Sequence, residues 1–204
     1  MEVLTFTPID YFGSNTYLIS SGAEAAVIDP SVSVERTLDF FSDGTRVLKY
    51  IILTHAHFDH ICEIDGWTRK FPHATVVVGA GDKDMLSDSY LNCYKIFTGA
   101  DKGYYGEYIT VSDGDVLQLG GEKLTVMETP GHTTGSISIL TRDAIFVGDT
   151  VFSEGGVGRC DLPSGNFYLL RESVDKILSL PYDVAVYCGH GPAARLKEIK
   201  INFI

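Results

Sequence analysis

No basic cluster stands out in this chain. Its 27 acidic residues outnumber 16 basic ones, for a formal net charge of -11. Nucleic-acid partners require a basic face, so nucleases and other nucleic-acid binders lose ground at the outset. There is no run of about 18 apolar residues, and no membrane-spanning helix is expected. Met1-Glu2-Val3-Leu4-Thr5-Phe6 has neither the basic n-region nor the long apolar h-region of a secretory signal. The expected compartment is therefore the cytoplasm. The four cysteines (Cys62, Cys93, Cys160 and Cys188) form no C-x-x-C pair. Each is expected to be reduced, and to serve as a small buried hydrophobe rather than a metal ligand. Internal repeats, linkers and low-complexity stretches are also missing. What remains is 204 residues, 45% hydrophobic and 21% charged, the composition of one soluble globular domain spanning residues 1–204.

Short apolar runs bounded by turn residues mark the strands. Tyr17–Ser20 and Ala25–Asp29 form a hairpin-like pair, and Val47–Leu53 and Ala74–Val78 follow. Val116–Leu119, Lys123–Met127, Ser136–Leu140, Ala144–Val147 and Asp183–Tyr187 complete the set. Amphipathic spacing predicts helices over Ser33–Phe41, from Ile61 to about Lys70, and over Phe167–Leu180, with further helical patterns at Gly81–Leu86 and Ala193–Lys200. Ser87–Tyr108 is irregular and carries five tyrosines, as expected either of a lid or of a packed surface loop. Strands in both halves with helices between them imply two sheets packed face to face under outer helices.

The chemistry concentrates where the Val47 run ends, in Thr54-His55-Ala56-His57-Phe58-Asp59-His60. Residues two apart in an extended segment point the same way, so His55 and His57 can grip one metal ion. Asp59 and His60 lie where the chain turns, placed to face a second ion. Imidazole and carboxylate suit zinc above all, with iron or manganese as alternatives. Three more such residues, His132, Asp149 and His190, stand at strand ends, each directly after a glycine. Only His73 of the six histidines lacks such a place, and it reads as a surface residue. Seven ligands would serve two adjacent divalent ions: His55, His57 and His132 on one, Asp59, His60 and His190 on the other, with Asp149 bridging. A water shared by two metals is a nucleophile at neutral pH, and Asp59 is placed to orient it.

The ordered set Thr-His-Ala-His-Phe-Asp-His, Thr129-Pro-Gly-His-Thr-Thr-Gly-Ser136, Gly148-Asp-Thr and Cys188-Gly-His-Gly-Pro resembles the metallo-β-lactamase superfamily. That resemblance covers roughly residues 15–192. It implies an α/β fold, the αββα four-layer sandwich of two mixed β-sheets with helices outside and the site between the sheets. Gly156–Pro163 and Gly189–Pro192 are similar to the short bacterial glyoxalase II-like (hydroxyacylglutathione hydrolase-like) branch. The implied activity is hydrolysis of a thioester such as a hydroxyacylglutathione by a hydroxide bridging two metal ions. Asp29, in Val27-Ile28-Asp29-Pro30, matches a family position and reads either as a partner orienting a ligand or as a turn-forming residue. Arg159 stands where glyoxalase II has a glutathione-binding lysine. It is expected either to hold the carboxylate of an anionic thioester or to pair with Asp161. The C-terminal helical domain with which glyoxalase II binds glutathione has no counterpart here, so glutathione binding is not implied.

A different reaction class shares these motifs. Persulfide dioxygenases of the same fold use a single iron held by two histidines and an aspartate, here His57 or His55 with His132 and Asp149. Lactonases and β-lactamases are further hydrolytic alternatives. A binding module freed from catalysis would have no chemical need for all seven ligands.

Overall fold

A computed structural model describes residues 1–9 and 13–201. Among the described residues, twelve strands form two six-stranded sheets, split cleanly along the chain. The first sheet orders β1 (Glu2–Phe6), β2 (Thr16–Ser21), β3 (Glu24–Ile28), β4 (Val47–Ile52), β5 (Thr75–Gly79) and β6 (Ile109–Val111) in sequence. The second holds β7 (Val116–Leu119), β8 (Glu122–Glu128), β9 (Ile137–Leu140), β10 (Ala144–Gly148), β11 (Ala185–Cys188) and β12 (Ala194–Arg195), again side by side in sequence order. Both sheets are mixed: β3 to β6 run parallel, as do β10 and β11, and the other pairs are antiparallel.

The alternation of side chains along each strand builds three core layers. Tyr17, Ile19, Ala26, Ile28, Ile52 and Val77 face Leu124, Val126, Ile137, Ile139 and Phe146 across the space between the sheets. Their neighbours Leu18, Val27, Ile51 and Val78 point to the other side, where Ile64 and Trp67 cover them. On the far face of the second sheet, Ile145, Val147 and Val186 pack under Leu170, Val174 and Ile177. The result is the αββα sandwich expected from the sequence. Central strands are buried on both faces, which is why they read as continuous apolar runs rather than as alternation.

Helix α1 (Phe58–Ile61) and helix α2 (Ile64–Lys70) replace the single helix expected after the histidine cluster. The break has a cause: the Glu63 amide donates to the Pro30 carbonyl at 3.0 Å, so its hydrogen bond leaves the helix, which restarts there. Trp67 Nε1 then donates to the Val32 carbonyl and pins α2 to the first sheet's outer face. Helix α3 (Tyr94–Thr98) is the one α-helix within 87–108, opened by Cys93 at φ 68° and closed by Gly99 at φ 74°. Helix α4 (Phe167–Leu178) starts where Asn166 accepts hydrogen bonds from the Tyr168 and Leu169 amides. Its buried residues Leu170, Val174 and Ile177 recur with the helical period.

Other expectations are corrected. Val34–Phe41 is a 3-10 helix, with Arg36 and Ser42 amides bonded three residues back. Ala80–Asp82 is one 3-10 turn rather than the start of a helix, because the Asp82 side chain turns inward to accept three hydrogen bonds. The C-terminal segment expected to be helical instead opens with strand β12, paired to β11, before a 3-10 turn at Leu196–Glu198. Arg195 is held to Asp183 by a 3.0 Å ion pair. Strands β1 and β6 lie at the two edges of the first sheet, and in β6 only Val111 is buried.

Candidate metal centre

All seven residues expected to hold metal gather at one end of the sandwich. His55 and His57 leave β4, His132 follows β8, Asp149 follows β10, and His190 follows β11. Asp59 and His60 sit in the first turn of α1. His73, by contrast, is exposed in the turn between α2 and β5.

Their nitrogen and oxygen atoms form three overlapping groups, each with donor atoms within 4.8 Å of one another: His55, His57 and His132; His55, His60 and Asp149; Asp59, His60 and His190. His132 Nε2 lies 2.8 Å from His57 Nδ1 and 3.1 Å from His55 Nε2. Its other nitrogen, Nδ1, is 2.7 Å from the Arg159 carbonyl. Donation to that oxygen puts the proton on Nδ1 and leaves the Nε2 lone pair facing the cluster. Asp149 touches both outer groups. Its Oδ1 is 3.3 Å from His60 Nε2, and its Oδ2 is 3.4 Å from His190 Nε2 and 3.7 Å from His132 Nε2. Asp59 Oδ2 lies 3.2 Å from His190 Nε2. His55 thus belongs to two groups, where a single one was expected.

Whether a metal fits can be judged from atoms left unsatisfied. His57 Nε2, His60 Nε2 and Asp149 Oδ1 are buried without a hydrogen-bond partner. Leaving such groups unpaired is costly unless something else satisfies them. His60 Nε2 and Asp149 Oδ1 face each other at 3.3 Å without hydrogen-bond geometry. A donor set of imidazoles and carboxylates closed on itself in this way fits divalent cations.

The electrostatics divide the cluster. Burial, reinforced by the neighbouring His132, pushes His57 down to about 3, and burial with His60 and His132 holds His55 well below the ordinary histidine value. Both are neutral imidazoles at physiological pH. Burial opposes charge on His60 as well, but the carboxylates of Asp29, Asp59 and Asp149 outweigh it and raise it well above normal. Burial likewise works against His190, yet hydrogen bonds to Asp149 and Asp59 lift it to about 9. Asp149 and Asp59 are themselves held below the usual carboxylate range, against their burial, chiefly by His60 and His190.

Glycine makes this crowding possible. A Cβ on Gly189 would fall 2.0 Å from Asp149 Oδ1, and Gly148 holds φ 52° with Thr54 Oγ1 2.4 Å from where a Cβ would sit.

Around the cluster stand the residues that orient it. Asp29, at φ 54°, accepts from Thr54 N at 2.8 Å through Oδ1 and from Thr54 Oγ1 at 2.8 Å through Oδ2, while His60 Nδ1 lies 2.9 Å from Oδ2. Two further devices are invisible in the motifs. Asp82 accepts from Ala56 N (3.0 Å), Thr133 Oγ1 (2.8 Å) and Gly135 N (2.6 Å), tying the His55–His57 loop to the His132 loop. Asn15 Nδ2 donates to the Cys188 and Gly191 carbonyls at 3.1 and 2.9 Å and clamps the His190 turn. A signal for Asp82 existed: Gly81-Asp82 follows a buried strand, as Gly148-Asp149 does. Arg159 forms a two-bond pair with Asp161, at 2.9 and 2.8 Å, so its guanidinium is already engaged.

A cavity of about 410 Å³ opens onto His57, Asp59, His132, Asp149 and His190. No helix among the described residues is long and apolar enough to cross a membrane.

Comparison with known proteins matches residues 9–190 to the model of the metallo-beta-lactamase superfamily. The chain is 33% identical over 189 residues to a probable metallo-hydrolase, YqgX, of Bacillus subtilis, covering 91% of this chain and 88% of that one. It is 30% identical over 199 residues to the hydroxyacylglutathione hydrolase GloC of Haemophilus influenzae, covering 95% and 92%. The crystal structure of BLEG-1, a B3 metallo-beta-lactamase, superposes with a TM-score of 0.87 at 29% identity, over 97% of this chain and 95% of that chain.

Proposed function

The chain belongs to the metallo-β-lactamase superfamily, and on that premise we propose that it is a two-metal hydrolase acting on thioesters, with hydroxyacylglutathiones as the first members of that class to try. The observation that carries this reading is the reach of Asp149. One carboxylate approaches His60 with one oxygen and His132 and His190 with the other, as a bridge between two ions requires. The hydroxyacylglutathione hydrolase of Haemophilus influenzae supports the substrate class.

His55, His57 and His132 would hold one divalent ion and Asp59, His60 and His190 the other, with Asp149 shared. Zinc suits this donor set first, and iron or manganese second. Bound there, the ions supply a water of lowered pKa and polarise the carbonyl under attack. The protein's own groups do the rest. Asp59, held ionised, accepts a hydrogen bond from the attacking water and sets its direction. The Arg159 carbonyl fixes the His132 tautomer, and Asp29 fixes His60. The water oxygen bonds to the carbonyl carbon, the C–S bond breaks, and the departing thiolate takes the proton the water gave up. Arg159 is paired with Asp161, so it would hold an anionic thioester only if that pair opened.

The test is metal content per chain of protein purified without added metal, followed by thiol release from S-lactoylglutathione and other thioesters. About two ions per chain with thiol release supports the hydrolase. One iron per chain, with oxygen consumed on glutathione persulfide, would replace it with the dioxygenase.

A further inference from the structure

Beside the histidines, much of the cavity lining is carbon, from Phe58, Phe97, Phe152, Val157 and Leu162. Phe58 and Phe97 stack there, with ring centroids 5.6 Å apart and planes 24° from parallel. Phe152 lines the same cavity, 6.1 Å from the His190 ring, and Val157 and Leu162 add further apolar surface. Phe97 keeps 42% of its surface exposed, although it borders a cavity where an apolar ligand could cover it. Apart from the histidines, the one cationic side chain lining this cavity among the described residues is Arg159. It is spoken for: both of its bonded nitrogens face Asp161, and its guanidinium carbon lies 5.9 Å from the Phe97 ring centroid.

These observations distinguish two kinds of thioester. A glutathione conjugate carries two free carboxylates, and its recognition needs unengaged cations. An aromatic or branched apolar arm needs a desolvating carbon surface. This cavity offers the second, and its lone arginine is paired with Asp161 at the exposed rim. Resting on the thioester reading of the site, we infer that the specificity of this chain is set by an apolar arm of the substrate, aromatic or branched aliphatic, received by the Phe58–Phe97 pair and Phe152. Charge on the thiol contributes little. Phe97, at the mouth, is the residue through which the arm is read.

Two arms of one experiment separate this inference from the reading beneath it. In the first, zinc-loaded protein is assayed with acetyl and benzoyl thioesters, each made on N-acetylcysteamine and on glutathione. The benzoyl compounds should show kcat/KM at least about tenfold above the acetyl ones on either thiol, the discrimination expected of an apolar pocket. Phe97→Ala should shrink that ratio severalfold. In the second arm, calorimetry measures binding of uncleavable thioethers, S-benzyl-N-acetylcysteamine and S-methylglutathione. The benzyl compound should bind at least about tenfold more tightly, and less so to Phe97→Ala.

Equal or tighter binding of S-methylglutathione, or a benzoyl-to-acetyl ratio that Phe97→Ala leaves unmoved, overturns the inference. Hydrolysis of none of the four thioesters would count against the thioesterase reading alone. The thioether titration would still decide whether the carbon lining selects an apolar arm. Phe97 is part-exposed on a short helix, so its replacement by alanine leaves the buried core intact.

Discussion

Asp82 and Thr133 meet at 2.8 Å, oxygen to oxygen, in the interior between two histidine-bearing loops. The same carboxylate also takes the amides of Ala56, between His55 and His57, and of Gly135, three residues past His132. One side chain thus ties together the loops that carry His55, His57 and His132 without joining their cluster. Asp82→Ala would strand the buried amides of Ala56 and Gly135, while the Thr133 hydroxyl can turn to Ser136 Oγ at 2.7 Å, and is expected to cost about 2 kcal/mol of stability or more. Urea unfolding of the metal-free protein measures that loss. A change below about 0.5 kcal/mol would mean the loops hold their spacing without it.

Asp29 plays the corresponding part for the second group, through His60 Nδ1 at 2.9 Å. Asp29→Ala should lower metal affinity by about 10- to 100-fold, the usual effect of removing a carboxylate behind a ligating histidine. Competition with a chromophoric chelator reads this directly. The binding step that fills the group containing His60 should move most.

Metal uptake should release protons unequally. His57, pushed down to about 3, is unprotonated at pH 7 and gives up nothing. His190, lifted to about 9, and His60, raised well above normal, carry protons at pH 7 that metal must displace. Affinity at the second group therefore rises with pH toward about 9 and falls as the medium is acidified, while His55 and His57, already neutral, add little to that dependence. Calorimetry of zinc binding in buffers of different ionisation heat counts the protons. Two steps with equal proton release would contradict this division.

His57→Ala, Asp59→Ala and Asp149→Ala are each expected to lose at least about a hundredfold in hydrolysis while the sandwich persists by circular dichroism. Near wild-type rates in all three would end the two-metal mechanism.

The exposed pair of Arg159 and Asp161 yields an opposed pair of outcomes. Asp161→Ala frees the guanidinium and should lower KM for a glutathione thioester severalfold. Arg159→Ala should change that KM little, because the arginine is occupied before substrate arrives. A large rise in KM for Arg159→Ala would restore it as the anchor of an anionic substrate.

The amino-acid sequence determined which side chains meet and in what order along the chain. His55-x-His57-x-Asp59-His60 and the glycine-preceded His132, Asp149 and His190 are short-range patterns at the ends of apolar runs, and short-range spacing is what a linear reading resolves. The buried strands were legible for the same reason, their apolar runs being long enough to announce them. Strand β6 was not, since it is three residues long and only Val111 of them is buried. Only the tertiary structure decided the rest. It assigned His55 to two groups, brought Asp29 onto His60, aimed the Arg159 carbonyl at His132 and the Arg159 guanidinium at Asp161, and turned Asp82 inward instead of letting it begin a helix. Most of these contacts join residues tens of positions apart. They arise from two sheets packing face to face with their loops crowded at one end, where a buried carboxylate must find donors wherever the fold supplies them.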